Sequence, residues 1–127
     1  MSFAPANAVV WTEIPVLDID RGIAYYNEVF HHDLTRDDSG PNPMAMFSVE
    51  DLNTGVAGHL YPGKPALPGT GSTIYLLVPD SLEATADRTA KAGGTVVSDP
   101  IAMPFGRFQY TLDPDGNSIG LFEPPAS

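Results

Sequence analysis

The chain has 127 residues, of which 43% are hydrophobic, and it contains no cysteine. This length suits one compact domain or two very small modules, and the absence of thiols excludes disulfides, zinc–thiolate sites and cysteine nucleophiles. The formal net charge of −10, with only six Lys and Arg residues, argues against nucleic acid as a partner. Such acidity either favours a cationic ligand or simply keeps the surface soluble.

The sequence contains no apolar stretch long enough to cross a membrane. Residues 1–8 also lack a basic start followed by an apolar run, which is the pattern of a secretory signal. We therefore expect no membrane partner and a cytoplasmic location.

The first half of the chain has the pattern of a β-α-β-β-β unit. Asp18 and Asp20 are both candidate N-caps for a helix with an apolar stripe, and Asn53-Thr-Gly55 is a turn between two apolar runs. The predicted elements are a strand at 9–16, a helix at 21–30, a strand within 31–38, and strands at 44–49 and 56–61.

Residues 62–71 hold three Pro and three Gly, a composition typical of a linker, and the same pattern of elements follows them. Asp80 or Ser81 is expected to cap a helix that stops at Gly93-Gly94. The predicted elements are a strand at 72–78, this helix, a strand at 95–98, a connection at 99–106, and hairpin strands at 107–112 and 118–122.

The turn of the last hairpin, Asp113-Pro-Asp-Gly-Asn117, combines residues that preset or tolerate turn conformations. A fainter copy of this hairpin lies earlier in the chain. Asp113 and Asp51 are 62 positions apart, as are Asp80 and Asp18. Because the order of element types also agrees, we interpret the chain as two repeats of one supersecondary unit.

Several motifs occur together in this order: Ile14-Pro-Val-Leu-Asp18 leading into residues 21–30, Ala92-Gly-Gly94, and the Asp113–Asn117 turn with Ile119-Gly-Leu-Phe-Glu123. With these motifs the chain resembles the vicinal-oxygen-chelate superfamily, which includes glyoxalase I, bleomycin-resistance proteins and extradiol dioxygenases. The resemblance covers nearly the whole chain.

The resemblance implies an α+β fold of two tandem βαβββ modules, related by a pseudo-two-fold axis, whose sheets curl into half-barrels. It implies one domain over residues 1–127, with the first module at 8–61, the linker at 62–71, the second module at 72–123 and a tail at 124–127. Paired modules of this superfamily enclose a cavity, and its members are commonly homodimers.

In metal-using members of the superfamily, four strand positions supply His, Glu or Gln to one divalent ion. In this sequence the four positions correspond to Trp11, Gly58, Thr73 and Gly120. None of these side chains holds a divalent ion well, so we expect no cofactor, with Zn, Ni, Mn or Fe as the alternative. His59 adjoins Gly58, but strand alternation is expected to turn it the other way.

Without a metal, the expected site is an apolar pocket with aromatic walls, although the aromatic side chains alternatively plug a core. Strand parity and position predict a lining of Trp11, Glu13, Met46, Gly58, Leu60, Thr73, Tyr75, Leu77, Arg107, Tyr110, Gly120 and Phe122. The glycines are expected to leave room for a ligand. Arg107 is expected to meet an anionic ligand at the cavity mouth or to be a solvated strand-edge charge.

Glu13 and Tyr75 are the candidate catalytic residues. A carboxylate that faces an apolar cavity suits a general base or a counter-ion for a cationic ligand, and Tyr75, its counterpart in the second repeat, is a candidate donor to an oxyanion. Alternatively, Glu13 pairs with a nearby arginine or with backbone amides and stabilises the barrel.

These observations predict a metal-independent protein that binds a small organic molecule, akin to the drug-sequestering members, with an unidentified ligand. The alternative is a lyase or isomerase of the same superfamily that uses Glu13 as general base, with or without a divalent metal. A third hypothesis is a scaffold protein whose cavity is filled by its own side chains.

Overall fold

A computed structural model of the chain describes residues 2–126. Met1 and Ser127, at the ends of the predicted N-terminal stretch and tail, lie outside this range. Within it the chain forms two helices and nine strands in two sheets, which are not joined into a closed barrel. The predicted α+β class with two tandem modules is confirmed. Among the described residues, no helix combines the length and apolarity that a membrane crossing requires.

The first module forms a four-stranded sheet with one covering helix. Its elements are β1 (Trp11–Val16), α1 (Ile19–Phe30), β2 (Arg36–Asp37), β3 (Met44–Met46) and β4 (Ala57–Pro62). The strand order is β1-β4-β3-β2, with β1 parallel to β4 and the other neighbours antiparallel.

The second module repeats this layout with one additional strand. Its elements are β5 (Ile74–Leu77), α2 (Leu82–Lys91), β6 (Thr95–Val96), β7 (Ile101–Met103), β8 (Gly106–Leu112) and β9 (Ser118–Glu123). The strand order is β5-β9-β8-β6, and β7 also pairs with β8. β7 lies in the stretch predicted to be a connection. It forms because Pro104-Phe105 makes a tight turn that places Met103 opposite Gly106.

Both helices begin at side chains that accept backbone N–H groups. Asp18 is the N-cap of α1, with Oδ1 accepting from the N–H groups of Asp20 and Arg21 at 3.0 and 3.2 Å, so α1 begins two residues before the predicted start. Ser81 is the N-cap of α2. Asp80, the other predicted cap, instead accepts a hydrogen bond from Arg88 at 2.8 Å.

The helix ends follow the sequence signals. His31 ends α1 in the left-handed conformation, with φ of 58°, which is uncommon for a residue other than glycine. Its N–H donates to the carbonyl of Asn27 at 3.0 Å, so this carbonyl in the last turn of the helix has a hydrogen-bond partner. The second helix ends before Gly93, which has φ of 101° and accepts this conformation without a steric cost.

The core lies between the helices and one face of each sheet. Ile14 and Leu60 from the first sheet and Ile119 and Leu121 from the second are at most 1% exposed, and Tyr26 of α1 is fully buried among core residues. The opposite face of each sheet is open to solvent, where Trp11, Met46, Tyr75 and Leu77 are 39%, 42%, 47% and 62% exposed. We call these two surfaces the open faces.

The turn between β8 and β9 joins the second module to the first. Three hydrogen bonds cross between the modules here: Tyr26 hydroxyl to Asp113 Oδ2 (2.7 Å), Asn117 Nδ2 to the Pro15 carbonyl (2.8 Å) and Leu17 N–H to Asp115 Oδ2 (3.0 Å). Burial, and then the negative charge of Asp113, raise the pKa of the Tyr26 hydroxyl well above its ordinary value. The phenol therefore remains protonated and remains the donor.

We expect Tyr26→Phe to lower the free energy of unfolding by about 2 kcal/mol, because the buried Asp113 carboxylate loses a hydrogen-bond donor. Denaturant unfolding at pH 7 measures the change. Tyr61→Phe is the matched control, because none of the described residues forms a hydrogen bond to the Tyr61 hydroxyl. Equal losses in the two variants would contradict a special role for the Tyr26–Asp113 bond.

Candidate functional site

The open face of the first sheet is set by the pairing of β1 with β4. Ile14 lies opposite Leu60, and both point into the core. Glu13 lies opposite His59, one position away on each strand, so both side chains are on the open face.

On this face, His59 is held between Trp11 and Glu13. The Trp11 indole N–H donates to His59 Nδ1 at 2.9 Å, and His59 Nε2 lies 3.3 Å from Glu13 Oε1. Nδ1 is thus occupied as a hydrogen-bond acceptor, and Nε2 is the ring nitrogen that faces the Glu13 carboxylate. The Glu13 side chain is 63% exposed, which leaves its second oxygen available to a ligand.

This arrangement corrects the predicted facing of three residues in β4. His59 was expected to point away from the site, whereas Gly58 and Leu60 were expected to line it. Gly58 instead lies against Thr12, where an added Cβ would overlap the Thr12 carbonyl oxygen, and Leu60 is buried in the core. The predicted pairing of Glu13 with an arginine or backbone amides is replaced by the pairing with His59.

The error comes from using one offset for the whole repeat. The equivalent first-strand residues, Glu13 and Tyr75, are 62 positions apart. Their register partners on the neighbouring strands, His59 and Gly120, are only 61 positions apart. The shorter spacing shifts β4 by one residue, which exchanges its two faces.

The open face of the second sheet carries a cluster of aromatic rings. Tyr75 meets Phe108 edge to face at a centroid distance of 5.7 Å, and Phe108 meets Tyr110 in the same manner at 5.6 Å. The Tyr75 hydroxyl donates to the Tyr110 hydroxyl at 3.2 Å, and this hydrogen bond raises the pKa of Tyr75. Phe122 lies opposite Phe108 in the strand register and stacks on Phe105.

Gly120 positions Tyr75 rather than leaving room for a ligand. A Cβ on Gly120 would overlap the Tyr75 ring, so only glycine lets the ring lie over β9. Thr73, on the same side of β5, shares a hydrogen bond of 2.6 Å with the Ser118 hydroxyl.

Arg107 belongs to the helix-covered side, contrary to the prediction that it meets a ligand at the cavity mouth. Its guanidinium donates to Glu83 at 2.7 and 2.9 Å and to Glu123 at 2.7 and 2.9 Å. Glu123 also accepts from the N–H of Leu82 at 2.8 Å. Arg107 therefore fastens the start of α2 to the edge of β8 and β9.

The predicted lining residues thus divide between the two sides of the sheets. Trp11, Glu13, Met46, Thr73, Tyr75, Leu77, Tyr110, Gly120 and Phe122 are on the open faces, whereas Gly58, Leu60 and Arg107 are on the helix-covered sides. Glu13 and Tyr75 lie on different sheets, and no hydrogen bond joins them within residues 2–126.

Residues 8–121 match the family model described as the Glyoxalase/Bleomycin resistance protein/Dioxygenase superfamily. The chain belongs to this superfamily. Two mycobacterial proteins are 29% identical to the chain over 121 residues. Both are named "Putative glyoxylase CFP32", and they come from Mycobacterium bovis and Mycobacterium tuberculosis. The aligned part is 93% of this chain but 44% of each relative, so the chain spans less than half of their length.

Solved structures of superfamily members share the fold. A glyoxalase/bleomycin resistance protein from Albidiferax ferrireducens is 18% identical, with a TM-score of 0.72 over 94% of this chain and 100% of that one. TnmS3, described as an antibiotic binding protein from Streptomyces sp. CB03234, is 26% identical, with a TM-score of 0.67 over 96% of this chain and 100% of that one.

The donor set of this superfamily member does not fit a divalent ion. Trp11 has no lone pair for a metal and its N–H is donated to His59, Gly120 has no side chain, and the Thr73 hydroxyl is paired with Ser118. Both ring nitrogens of His59 are engaged. Among residues 2–126, no three His, Asp or Glu side chains converge as a metal site would require.

His59 is the site residue that sequence reasoning missed. A signal for it exists, because Leu60-Tyr61 in β4 and Leu121-Phe122 in β9 are both Leu–aromatic pairs, and they lie 61 positions apart. Aligning these apolar–aromatic pairs places His59 over Gly120 and gives the observed facing.

We expect Arg107→Gln to lower the melting temperature at pH 7 and to have less effect in acid. Hydrogen bonding by Arg107 lowers the pKa of Glu83 from 4.5 to about 2, so the stabilisation is complete above pH 4.5 and is lost as the pH falls through about 2. Thermal unfolding of both proteins between pH 7 and pH 2 measures the difference. Arg21→Gln, for which residues 2–126 provide no ion pair, is the control for charge removal. A difference that persists at pH 2 would contradict this assignment.

Proposed function

We propose that the chain is a metal-independent binding protein for a small organic molecule, with its binding surface on the open faces of the sheets. The observation that carries the proposal is the aromatic cluster of Tyr75, Phe108 and Tyr110, whose rings are held in place by each other and by Gly120. Fixed rings on a sheet bind planar ligands with little loss of side-chain entropy. Exposed apolar surface of this kind marks a binding region.

The first sheet supplies the polar part of the proposed surface. Trp11 offers a ring that is 39% exposed and donates its N–H to His59. Glu13 lies beside His59 and is 63% exposed, so its carboxylate can accept from a ligand. Among the compared proteins, TnmS3 is described as an antibiotic binding protein and matches over nearly the full length of both chains. That likeness supports an organic ligand.

We further infer that a second copy of the chain covers the open faces, as the homodimers of the superfamily suggest. The sheets of one chain form no closed barrel, and the side chains of Leu77 and Phe105 are 62% and 57% exposed. Bringing such faces together removes apolar surface from water and encloses a ligand.

Binding is measurable through the fluorescence of Trp11, the single tryptophan of the chain. We expect daunorubicin, tetracycline or another planar aromatic antibiotic used as probe to change this signal in a saturable titration. Tyr110→Leu should weaken the binding about two- to tenfold, the equivalent of one lost aromatic contact. Phe3→Ala, which removes an exposed ring that lies on neither sheet, should leave it unchanged.

The same titration tests the metal question. We expect equal affinity in EDTA and after addition of Zn, Ni, Mn or Fe(II). A requirement for any of these ions, or equal binding by wild type and Tyr110→Leu, would contradict the proposal.

A second candidate function is proton transfer by a lyase or isomerase with Glu13 as general base. The observation that favours it is the Glu13–His59 pair, in which one carboxylate oxygen lies 3.3 Å from the imidazole and the exposed carboxylate can take a proton through the other. Tyr75 is a poor oxyanion donor in a single chain, because its hydroxyl proton is already donated to Tyr110.

For this candidate we expect catalysed exchange of the α-hydrogens of dihydroxyacetone, used as a probe, with solvent deuterium. Glu13→Gln should slow the exchange about 100-fold or more, whereas Glu28→Gln, on the surface of α1, should not. Nuclear magnetic resonance follows the exchange. Equal rates for wild type and Glu13→Gln would remove Glu13 from any such mechanism.

A further inference from the structure

A cleft of about 1290 Å³ lies between the two modules, separate from most of the open-face surface. Its walls are the end of α1, the connection between β3 and β4 at residues 47–56, and the free edge of β5. We call it the intermodule cleft. Four residues predicted for the ligand pocket also touch it: Gly58, Thr73, Tyr75 and Leu77.

The pseudo-symmetric counterpart of this cleft, between the β8–β9 turn and the first module, is closed. There the β8–β9 turn docks on the first module through Asp113, Asp115 and Asn117, and the cavity that remains is about 10 Å³. The first turn, at residues 51–55, forms hydrogen bonds within itself, such as Gly55 N–H to the Asp51 carbonyl at 2.7 Å, and none to the second module among residues 2–126.

The difference has a cause in one pair of equivalent residues. Tyr26 in α1 presents a buried hydroxyl to Asp113 of the second turn. The residue equivalent to Tyr26 in α2 is Arg88. Its guanidinium donates to the Asp80 carboxylate at 2.8 Å and to the Val29 carbonyl at 3.0 Å. The first turn therefore has no such buried donor to dock on, and its side of the molecule stays open.

The lining of the intermodule cleft defines the chemistry of a ligand. Phe30, Phe47 and Val56 contribute apolar surface, and His32 packs edge to face on Phe47 at 5.3 Å. Burial lowers the pKa of His32, and its Nδ1 accepts from the Ser48 N–H at 3.2 Å, so the ring is neutral.

Two further features of the lining are polar. Asp33, Glu50 and Asp51 line the cleft, whereas no Lys or Arg of the described part of the chain does. β5 pairs only with β9, so the opposite edge of its backbone offers N–H and C=O groups to whatever occupies the cleft. These features favour a planar molecule that hydrogen-bonds and disfavour one that carries a negative charge.

We propose that the intermodule cleft is a second binding site, which takes a planar apolar molecule that is neutral or carries an ammonium group. The connection at residues 47–56 forms the outer wall of the cleft and contacts the bound molecule. The β8–β9 turn makes the corresponding contact on the closed side, where it packs against the first module. This site shares Thr73, Tyr75 and Leu77 with the open face of the second sheet, but it does not include Phe108, Tyr110 or the Trp11–Glu13 surface.

Three fluorescent probes test the charge preference. We expect saturable 1:1 binding of neutral Nile red and of cationic thioflavin T, and binding of the anionic 8-anilinonaphthalene-1-sulfonate that is weaker by about tenfold or more. Glu50→Lys should weaken thioflavin T binding and leave Nile red binding unchanged. Asp99→Lys makes the same change in net charge outside the cleft and is the control.

The location is tested by filling the cleft. Val49→Trp and Val56→Trp each place a ring in it and should weaken Nile red binding about tenfold or more. Val97→Trp, an exposed valine of the second module, should have no effect. Tyr110→Leu should change Nile red binding by less than about twofold, because Tyr110 does not line the cleft and Phe108 and Gly120 still hold the Tyr75 ring.

Hydrogen exchange of the wild-type protein gives a readout that needs no variant to fold. Bound Nile red should slow exchange at residues 47–56 and 74–78. Non-saturable binding, loss of binding in Tyr110→Leu, or unchanged exchange in both segments would overturn the intermodule site. The first two results would leave the proposed function of the open faces standing.

Discussion

The buried carboxylate of Asp113 is the constraint on which the arrangement of the modules depends. Oδ1 accepts the N–H groups of Asp115 and Asn117, each at 2.9 Å, and Oδ2 accepts from the Tyr26 hydroxyl and from Asn117 Nδ2. A buried charge is tolerated only when its hydrogen-bonding capacity is filled in this way. The bonds shape the turn and, through Tyr26, attach it to α1. One acid therefore determines both a local conformation and the placement of two sheets.

The same constraint explains why the two halves of the molecule differ. Both repeats have an acid at the start of the hairpin turn, but only the second turn meets a buried phenol. Arg88, at the position equivalent to Tyr26, bonds to its own module at Asp80 and reaches across to α1 at Val29. Arg88 thus joins the two helices, while of the two hairpin turns only the second is docked on the other module. The intermodule cleft is the consequence of this asymmetry, not of poor packing.

Much of the fold is predictable because it rests on local chemistry. The caps, the left-handed ends of the helices, the Asp113–Asn117 turn and the alternation of β1 and β9 are each set by a few neighbouring residues. The facing of β4 was not predictable from a single repeat offset, because one residue fewer separates the equivalent strand positions of the second module. β7 was missed for a different reason: three residues beside a tight turn give too short a pattern to recognise.

The candidate site was less predictable than the fold, since its residues are defined by pairing between distant segments. From its charge and its place on β8, Arg107 was expected at the mouth of the cavity. Its guanidinium instead donates to Glu83 of α2, 24 positions away in the sequence. Gly120 was expected to make room for a ligand, yet its space is taken by the Tyr75 ring. Neither relation is visible along the chain, because each joins elements that only the tertiary fold brings together.

The open faces carry fixed side chains at and beside the positions where metal-using members of the superfamily hold an ion. A bound ion orients a ligand by fixed coordination geometry, and the residues at the corresponding positions here cannot do so. Instead, the Trp11 N–H donates to His59, which lies beside Glu13, and the rings of Tyr75, Phe108 and Tyr110 hold one another in place. Side chains that are already held in place bind a ligand without first being ordered. Orientation on these faces is therefore expected to come from ring contacts and from the free Glu13 oxygen, which select for the shape and the hydrogen-bond donors of an organic molecule.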